Sequence, residues 1–355
     1  MPPSADHPNL YDLDRAQLTE LLTGWGVARY RADQVWNWLY AQKATSFDAM
    51  TTLPTDLRAR LAEETRLGGL ELAQEVHSSD GETRKYAFRL PDGQLIETVL
   101  MRYEGVRRTA CISTQAGCAM GCVFCATGQM GFVRHLTAGE IVEQALFVAR
   151  VLEERGERLS NVVLMGMGEP FHNYDNTLEA IRRMMDDDGL NIGQRHITVS
   201  TVGLAPAIRR FADEGLQVRL AISLHAATDE ERSALLPVNR RYPIEDVLDA
   251  VQTYIVKTNR RVTLEWTLIQ GENDTPEQAH KLGQLLAGML VHVNVIPLNP
   301  TTGYGGAPSD PTRVEAFVGI LGSYGIPVTI RVRRGIDVNA GCGQLKAAVL
   351  SDEAG

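Results

Sequence analysis

Five cysteines stand in the 355-residue chain, and three of them, Cys118, Cys122 and Cys125, form a C-x3-C-x2-C run. Three thiolates on one tight loop can converge on a single metal centre. Structural zinc generally takes four ligands from paired C-x2-C units, and no second pair follows here. A cubane 4Fe-4S cluster is normally held by four Cys. With three, one iron is left open to a ligand from outside the protein. The remaining two, Cys111 and Cys342, read alone as structural thiols, the usual fate of a free cysteine. An odd total also argues against a disulfide scaffold.

The elements that position these residues follow from periodicity. From about residue 108, strand and helix patterns alternate. Strands are expected over 109–114, 161–165, 196–201, 218–224, 262–269, 292–297 and 328–332, with helices over 137–154, 176–187, 205–214, 244–258, 276–289 and 311–323. Repeated βα units predict an α/β fold with a parallel sheet and helices outside, either an open doubly wound sheet or a full or partial barrel. Polar residues gather at the strand ends, where barrels place their sites: Gly168 and Glu169 after the second strand, Ser200 in the third, Ser223, Leu224 and His225 at the fourth, Asn299 after the sixth. One Ser or Asn at a strand end is ordinary turn chemistry; four such ends would line one pocket. Gly166 and Gly168 are not a dinucleotide fingerprint, because the third glycine is missing and Pro170 follows.

Ahead of these units, residues 10–67 read as a compact helical unit, with helices over 16–22, 31–40 and 53–61. Turn signals at 78–81 and 91–93 then bound a β-hairpin, 83–90 with 95–101. Glu97 in that hairpin reads, alone, as solvent-facing.

No apolar run reaches the roughly 18 residues of a membrane helix, and the first residues lack the basic and apolar regions of a signal peptide. A cytoplasmic location is expected. The net charge of −9 weighs against a nucleic-acid partner only as a blunt average, since binding depends on where charges sit. Of 35 basic residues five are Lys, and the arginines include six adjacent pairs, among them Arg107-Arg108, Arg260-Arg261 and Arg333-Arg334. On their own such pairs read as codon bias and solvated helix faces.

The cysteine run, with Phe124 before its last member, resembles the signature of radical S-adenosylmethionine (SAM) enzymes. Segments 111–118 (CISTQAGC), 125–132 (CATGQMGF), 165–170 (MGMGEP) and 339–343 (NAGCG) together resemble the RlmN family, which makes 2-methyladenosine in 23S rRNA and tRNA. Segments 31–40 and 47–54 resemble that family's helical accessory domain. The resemblance implies a partial (β/α)6-type barrel over 108–355, a helical RNA-binding domain over 1–70 and a β-hairpin extension over 71–107. It implies one 4Fe-4S cluster on Cys118, Cys122 and Cys125, and SAM as both methyl donor and radical source, bound by Gly168, Glu169, Ser200, Ser223, Leu224, His225 and Asn299. Cys342 becomes the methyl carrier, Cys111 the thiol that resolves a covalent RNA adduct through a disulfide, and Glu97 the general base. Beside a radical centre, the two spare thiols shift from structure toward chemistry. Carbon 2 of adenine is electron-poor and a poor partner for an electrophilic methyl, which is why radical chemistry is called for.

The implied partners are 23S rRNA, tRNA (at the adenosine 3′ of the anticodon) and an electron donor such as a flavodoxin, with a monomeric enzyme and no membrane. Three rivals stand beside this reading: a relative methylating carbon 8 of the same rRNA adenine, a non-catalytic Fe–S RNA-binding protein, and a radical SAM enzyme for a protein or small molecule. Acidic residues outnumber basic ones in the helical unit, so a local basic face is expected there. For the barrel, an acidic outer shell around an Arg-lined rim at its mouth is expected.

Overall fold

The apolar stripes at the start of the chain form three short helices, α1 (Arg15–Gly24), α2 (Tyr30–Tyr40) and α3 (Thr55–Glu64). Asp14 and Gln17 close a reciprocal capping box on α1. The computed structural model describes residues 7–346. Residues 1–6, which include most of the segment examined for a leader, and 347–355, the tail of the expected barrel unit, lie outside the described residues.

An antiparallel meander follows: β1 (Glu71–His77), β2 (Thr83–Arg89) and β3 (Leu95–Arg102). The expected hairpin is thus a three-stranded unit. Its first strand carries no hydrophobic alternation and is largely exposed along the sheet edge, so no pattern announced it. Through the antiparallel pair β3–β4 (Arg108–Cys111) the meander is continuous with seven parallel strands, β4, β7 (Asn161–Leu164), β8 (Ile197–Thr201), β9 (Arg219–Ser223), β10 (Val262–Leu268), β11 (Val291–Pro297) and β12 (Val328–Ile330), neighbours in that order. Helices α5 (Ala138–Glu153), α6 (Tyr174–Met185), α7 (Ala205–Ala212), α9 (Ile244–Thr258), α10 (Pro276–Leu286) and α11 (Pro311–Ser323) connect them, and a short α8 (Asp229–Leu235) that periodicity had not marked lies between β9 and α9. β1 and β12 are the two edges of this sheet, so the barrel is partial.

The first parallel strand stops short of the expected 109–114. The buried Gln144 of α5 accepts from the Ser113 N–H (2.8 Å) and donates to its carbonyl (2.9 Å), replacing ladder bonds and turning the chain outward. It then forms β5 (Gln115–Gly117), which pairs with β6 (Phe132–His135) in a separate two-stranded sheet; the cysteine run and the short α4 (Ala126–Met130) lie between them.

The helical unit shares one continuous hydrophobic core with the barrel. A Cβ on Gly139, in the first turn of α5, would lie 2.7 Å from the Tyr11 backbone, so glycine permits this close seating. Arg183 of α6 donates to the Tyr11 carbonyl, and Arg15 binds Asp186 and Asp188.

After β12 the chain becomes a strap, residues 331–346, that crosses the open side. The Ser79 N–H donates to Asp337 (2.7 Å), Lys85 lies 3.5 Å from the Asn339 carbonyl, and the Lys346 N–H donates to Glu97 (2.9 Å). The meander is therefore the platform on which the strap rests.

Candidate active site

Each cysteine of the run sits on backbone that is already fixed. The Cys118 N–H donates to the Gly131 carbonyl (2.8 Å), Cys125 caps α4 and donates to the Cys122 carbonyl (3.2 Å), and the Val123 N–H reaches the Leu235 carbonyl (3.1 Å). Burial pushes the Cys118 thiol up to about 12 and the Cys122 thiol well above its ordinary value, with the neighbouring sulfurs adding to the effect; Cys125 is raised for the same leading reason. Such thiols stay protonated unless a metal takes them as thiolates. Among the described residues, no three His, Cys, Asp or Glu side chains converge tightly enough to grip a single ion. Three neighbouring thiols on one loop are a donor set that can hold a multi-iron cluster while leaving one iron open.

Above the strand ends lies a cleft of about 870 Å³, counted to its open mouth. Gly168, Glu169, Ser200, Ser223, His225 and Asn299 all line it, together with Cys122, Cys125 and Cys342. Gly168 holds φ +99°, and a Cβ there would strike the Gln115 side chain at 2.5 Å. Gln115 in turn accepts from the Glu169 N–H (2.7 Å), which anchors the loop. The Glu169 carboxylate accepts from the N–H groups of Phe171 (3.0 Å) and Val202 (2.9 Å), and burial raises it to about 7. An ammonium ligand would restore its charge. His225 Nδ1 accepts from the Thr267 N–H (2.9 Å), which places the ring proton on Nε2; burial lowers its pKa to about 3, so the ring is neutral. Asn299 donates to the Cys342 carbonyl (3.1 Å) while its Oδ1 is buried without a partner, an acceptor ready for a ligand. Leu224 is not brought to this cleft: its side chain is buried, and its N–H and carbonyl are engaged by the Glu265 carbonyl and by Arg232. Cys118 does not line the cleft.

A second cavity meets the first. Cys111 and Cys342 both line it, and Met165, Ile296, Asn299, Arg331 and Cys342 belong to both. Cys342 is exposed and Cys111 buried, with burial pushing the Cys111 thiol up to about 12. The strap around Cys342 is stitched to the cysteine run: the Ala126 N–H donates to the Gly343 carbonyl (2.7 Å) and Thr127 to the Leu345 carbonyl (2.6 Å).

Glu97 does not face solvent, contrary to the residue-level expectation. The strap covers that face of the meander, and the carboxylate is fully buried against Lys85 Nζ (2.9 Å) and the Lys346 N–H. It lines neither cavity.

Three residues that sequence reasoning had passed over shape the site. Glu265 lines the cleft, accepting from Asn294 (3.0 Å), and Arg331 lies 3.8 Å from it. Thr263, Glu265 and Thr267 alternate along β10, a polar face that the apolar residues between them could have revealed. Arg232 of α8, fully buried, donates to the carbonyls of Val202 (2.5 Å), Ser223 (3.3 Å) and Leu224 (3.1 Å) and to Asn239 (2.7 Å), tying two strand ends together. Arg232→Met leaves those acceptors buried and unpaired. It is expected to cost about 3 kcal/mol and to weaken SAM binding with it. Thermal unfolding and SAM titration check this; an unchanged Tm refutes it.

Comparison with known proteins accords with this geometry. Residues 112–282 match the radical SAM superfamily, and residues 8–67 match the ribosomal RNA large subunit methyltransferase N-terminal domain. The chain is 59% identical over 347 residues to the dual-specificity RNA methyltransferase RlmN 1 of Myxococcus xanthus, covering 98% of this chain and 96% of that protein. The chain belongs to the RlmN family of radical SAM methyltransferases. It is also 51% identical to a probable dual-specificity RNA methyltransferase RlmN of Chloroflexus aurantiacus, over 95% of this chain and 92% of the relative. A crystal structure of a radical SAM methyltransferase from Sphaerobacter thermophilus superposes with a TM-score of 0.94 at 51% identity, covering 96% of this chain and 100% of that one.

This RlmN-family enzyme therefore works with a 4Fe-4S cluster and SAM. The partial barrel with its N-terminal helical region agrees with the expected fold. No helix among the described residues is long and apolar enough to cross a membrane. Arg331 lines the cleft, and Arg331, Arg333 and Arg334 line the cavity that meets it. Arg107, Arg219 and Arg261, which form no ion pair with a carboxylate among the described residues, stand at the opposite, N-terminal ends of the parallel strands.

Proposed function

We propose that this protein methylates carbon 2 of adenine in 23S rRNA and in tRNA, at the adenosine 3′ of the anticodon, consuming two SAM per methyl group transferred. The observation that carries this reading is the meeting of two cavities at Cys342: one lined by the strand-end polar groups, the other by Cys111. A cluster held by Cys118, Cys122 and Cys125, when bound, supplies reductive cleavage of SAM to a 5′-deoxyadenosyl radical. Glu169, Ser200, Ser223, His225 and Asn299 orient SAM, the carboxylate toward its amino group and the His225 N–H and free Asn299 carbonyl toward its polar atoms.

Cys342 is the carrier. Its thiolate takes a methyl group from one SAM by displacement. The same carbon gives up a hydrogen atom to the 5′-deoxyadenosyl radical, then bonds carbon 2 and leaves enzyme and RNA joined through sulfur; the adduct's unpaired electron would return to the cluster that supplied it. Glu97 is assigned the ring proton; its carboxylate must leave Lys85 or the strap N–H to take it. The Cys111 thiolate then attacks the Cys342 sulfur. The sulfur–carbon bond breaks, its electrons pass to the methylene carbon, and that carbon gains a proton to become methyl. The Cys111–Cys342 disulfide takes two electrons from a thiol reductant before the next turnover. A one-electron donor protein of flavodoxin type serves the cluster, the enzyme acts as a monomer, and residues 1–70 contribute RNA contacts.

The test is nucleoside mass spectrometry of rRNA and tRNA from a strain lacking this protein, with and without its return. 2-Methyladenosine restored in both RNAs is the expected result. 8-Methyladenosine would overturn the regiochemistry, and no methylated adenosine would overturn the substrate.

A further inference from the structure

The second cavity raises the question of how a bulky substrate reaches Cys342 when SAM fills the cleft. Side-chain parity answers it, since residues four apart on a strand face the same side. Cys111 on β4 faces the interior, and so does the position of Arg107 just before that strand. Ser223 on β9 lines the cleft, so Arg219, at the start of β9, points to the interior too. Glu265 on β10 does likewise for Arg261. Three arginines from strands on both sides of the barrel thus converge at its N-terminal opening. Burial and the neighbouring guanidiniums of Arg107, Arg260 and Arg261 make Arg219 harder to protonate than usual, an independent sign of this crowding.

Tyr103 brings Arg107 of this opening to the edge of the second cavity. Tyr103 lines that cavity and is flanked by two guanidiniums, Arg107 at 4.4 Å and Arg334 at 4.6 Å from the ring centre. Arg331, Arg333 and Arg334 continue the lining toward Cys342. Arg102 and Arg108 nearby are neutralised by Glu157, at 2.6 and 2.7 Å. Arg107, Arg219, Arg260, Arg261, Arg333 and Arg334 form no ion pair with a carboxylate among the described residues; Asp80 is the acid that Arg334 senses, and it is bonded to Ser78. In a chain of net charge −9, so many unpaired cations around one opening call for an anion.

We infer that the N-terminal opening of the barrel is the RNA entrance: Arg107, Arg219 and Arg261 seat backbone phosphates there, and the target adenosine passes Tyr103 and Arg334 to reach Cys342. This rests on the functional reading above. It assigns a phosphate-binding rim to the end of the barrel opposite the SAM cleft. An acidic redox protein is the other partner such charge could attract, but the cysteine run lies at the far ends of these strands, a poor position for electron delivery.

The test uses the full-length holoenzyme and an unmodified tRNA transcript. Arg219→Gln/Arg261→Gln is expected to weaken tRNA binding about tenfold and to lower the salt slope of log Kd by about two, because each lost phosphate contact removes roughly one released counterion. Arg219→Lys/Arg261→Lys should restore both, since phosphate contact needs charge more than shape. Arg182→Gln/Arg209→Gln, on helices facing outward, should change neither. Unchanged affinity and slope in the Gln pair overturns the entrance. So does a loss of flavodoxin-driven turnover with tRNA affinity and dithionite-driven turnover intact. If the wild type itself neither binds nor methylates the transcript, the substrate reading fails instead, and the two failures are distinct.

Discussion

Replacing Cys111 with alanine is expected to stall the enzyme as a covalent protein–RNA adduct after a single turnover. Two features of the geometry make this the decisive variant. Cys111 and Cys342 line one cavity, so a sulfur carrying the RNA carbon has a second thiol beside it. The other three thiols belong to the cysteine run that we assign to the cluster, leaving no substitute among the five. Burial keeps the Cys111 thiol protonated, raised to about 12, so it does not compete with Cys342 for the methyl group of SAM at neutral pH. Its attack depends on losing that proton inside the cavity, where the Arg331 guanidinium favours the thiolate. Denaturing electrophoresis of labelled RNA should show one RNA per chain with Cys111→Ala, and none with Cys342→Ala. Ordinary multiple turnover by Cys111→Ala would end the resolving role. A small fold disturbance would not mimic the adduct, because an unfolded enzyme forms none.

Much of this site was legible because its signals are local. The three cysteines of the run lie within eight residues, and Gly168, Glu169, Ser223 and His225 occupy strand ends that periodicity locates. What escaped is set by contacts between distant parts of the chain. Glu97 read as a surface residue because its cover, the Lys346 N–H, lies 249 positions away. Arg331 carried no signal until the strap was seen to bring it beside Cys342 and Glu265. The arginine pairs illustrate the same point differently. Arg182 and Arg209 bind outward-facing acids, Glu214 and Asp249, whereas Arg260-Arg261 and Arg333-Arg334 do not, and only tertiary structure separates these cases. The missed strand β1 had no alternation to read, since neither of its faces is well covered.

Cys118→Ala is expected to abolish both the brown cluster chromophore and all SAM cleavage while the protein remains folded. The loop does not depend on its sulfur for shape: the Cys118 N–H to Gly131 and the Val123 N–H to Leu235 remain in the variant. What is lost is one of only three thiolates for a cluster that ordinarily takes four, and the two cysteines outside the run, Cys111 and Cys342, line a different cavity. Cys118 is also outside the lining of the SAM cleft, and the hydrogen bonds of Glu169, His225 and Asn299 do not involve it, so its removal leaves them in place. SAM affinity measured in the absence of iron should therefore match the wild type, whereas iron content, visible absorbance and 5′-deoxyadenosine formation fall to background. Retention of chromophore and cleavage would overturn the cluster assignment. A loss of SAM binding in the iron-free protein would show instead that Cys118 shapes the cleft, a role its absence from the lining argues against.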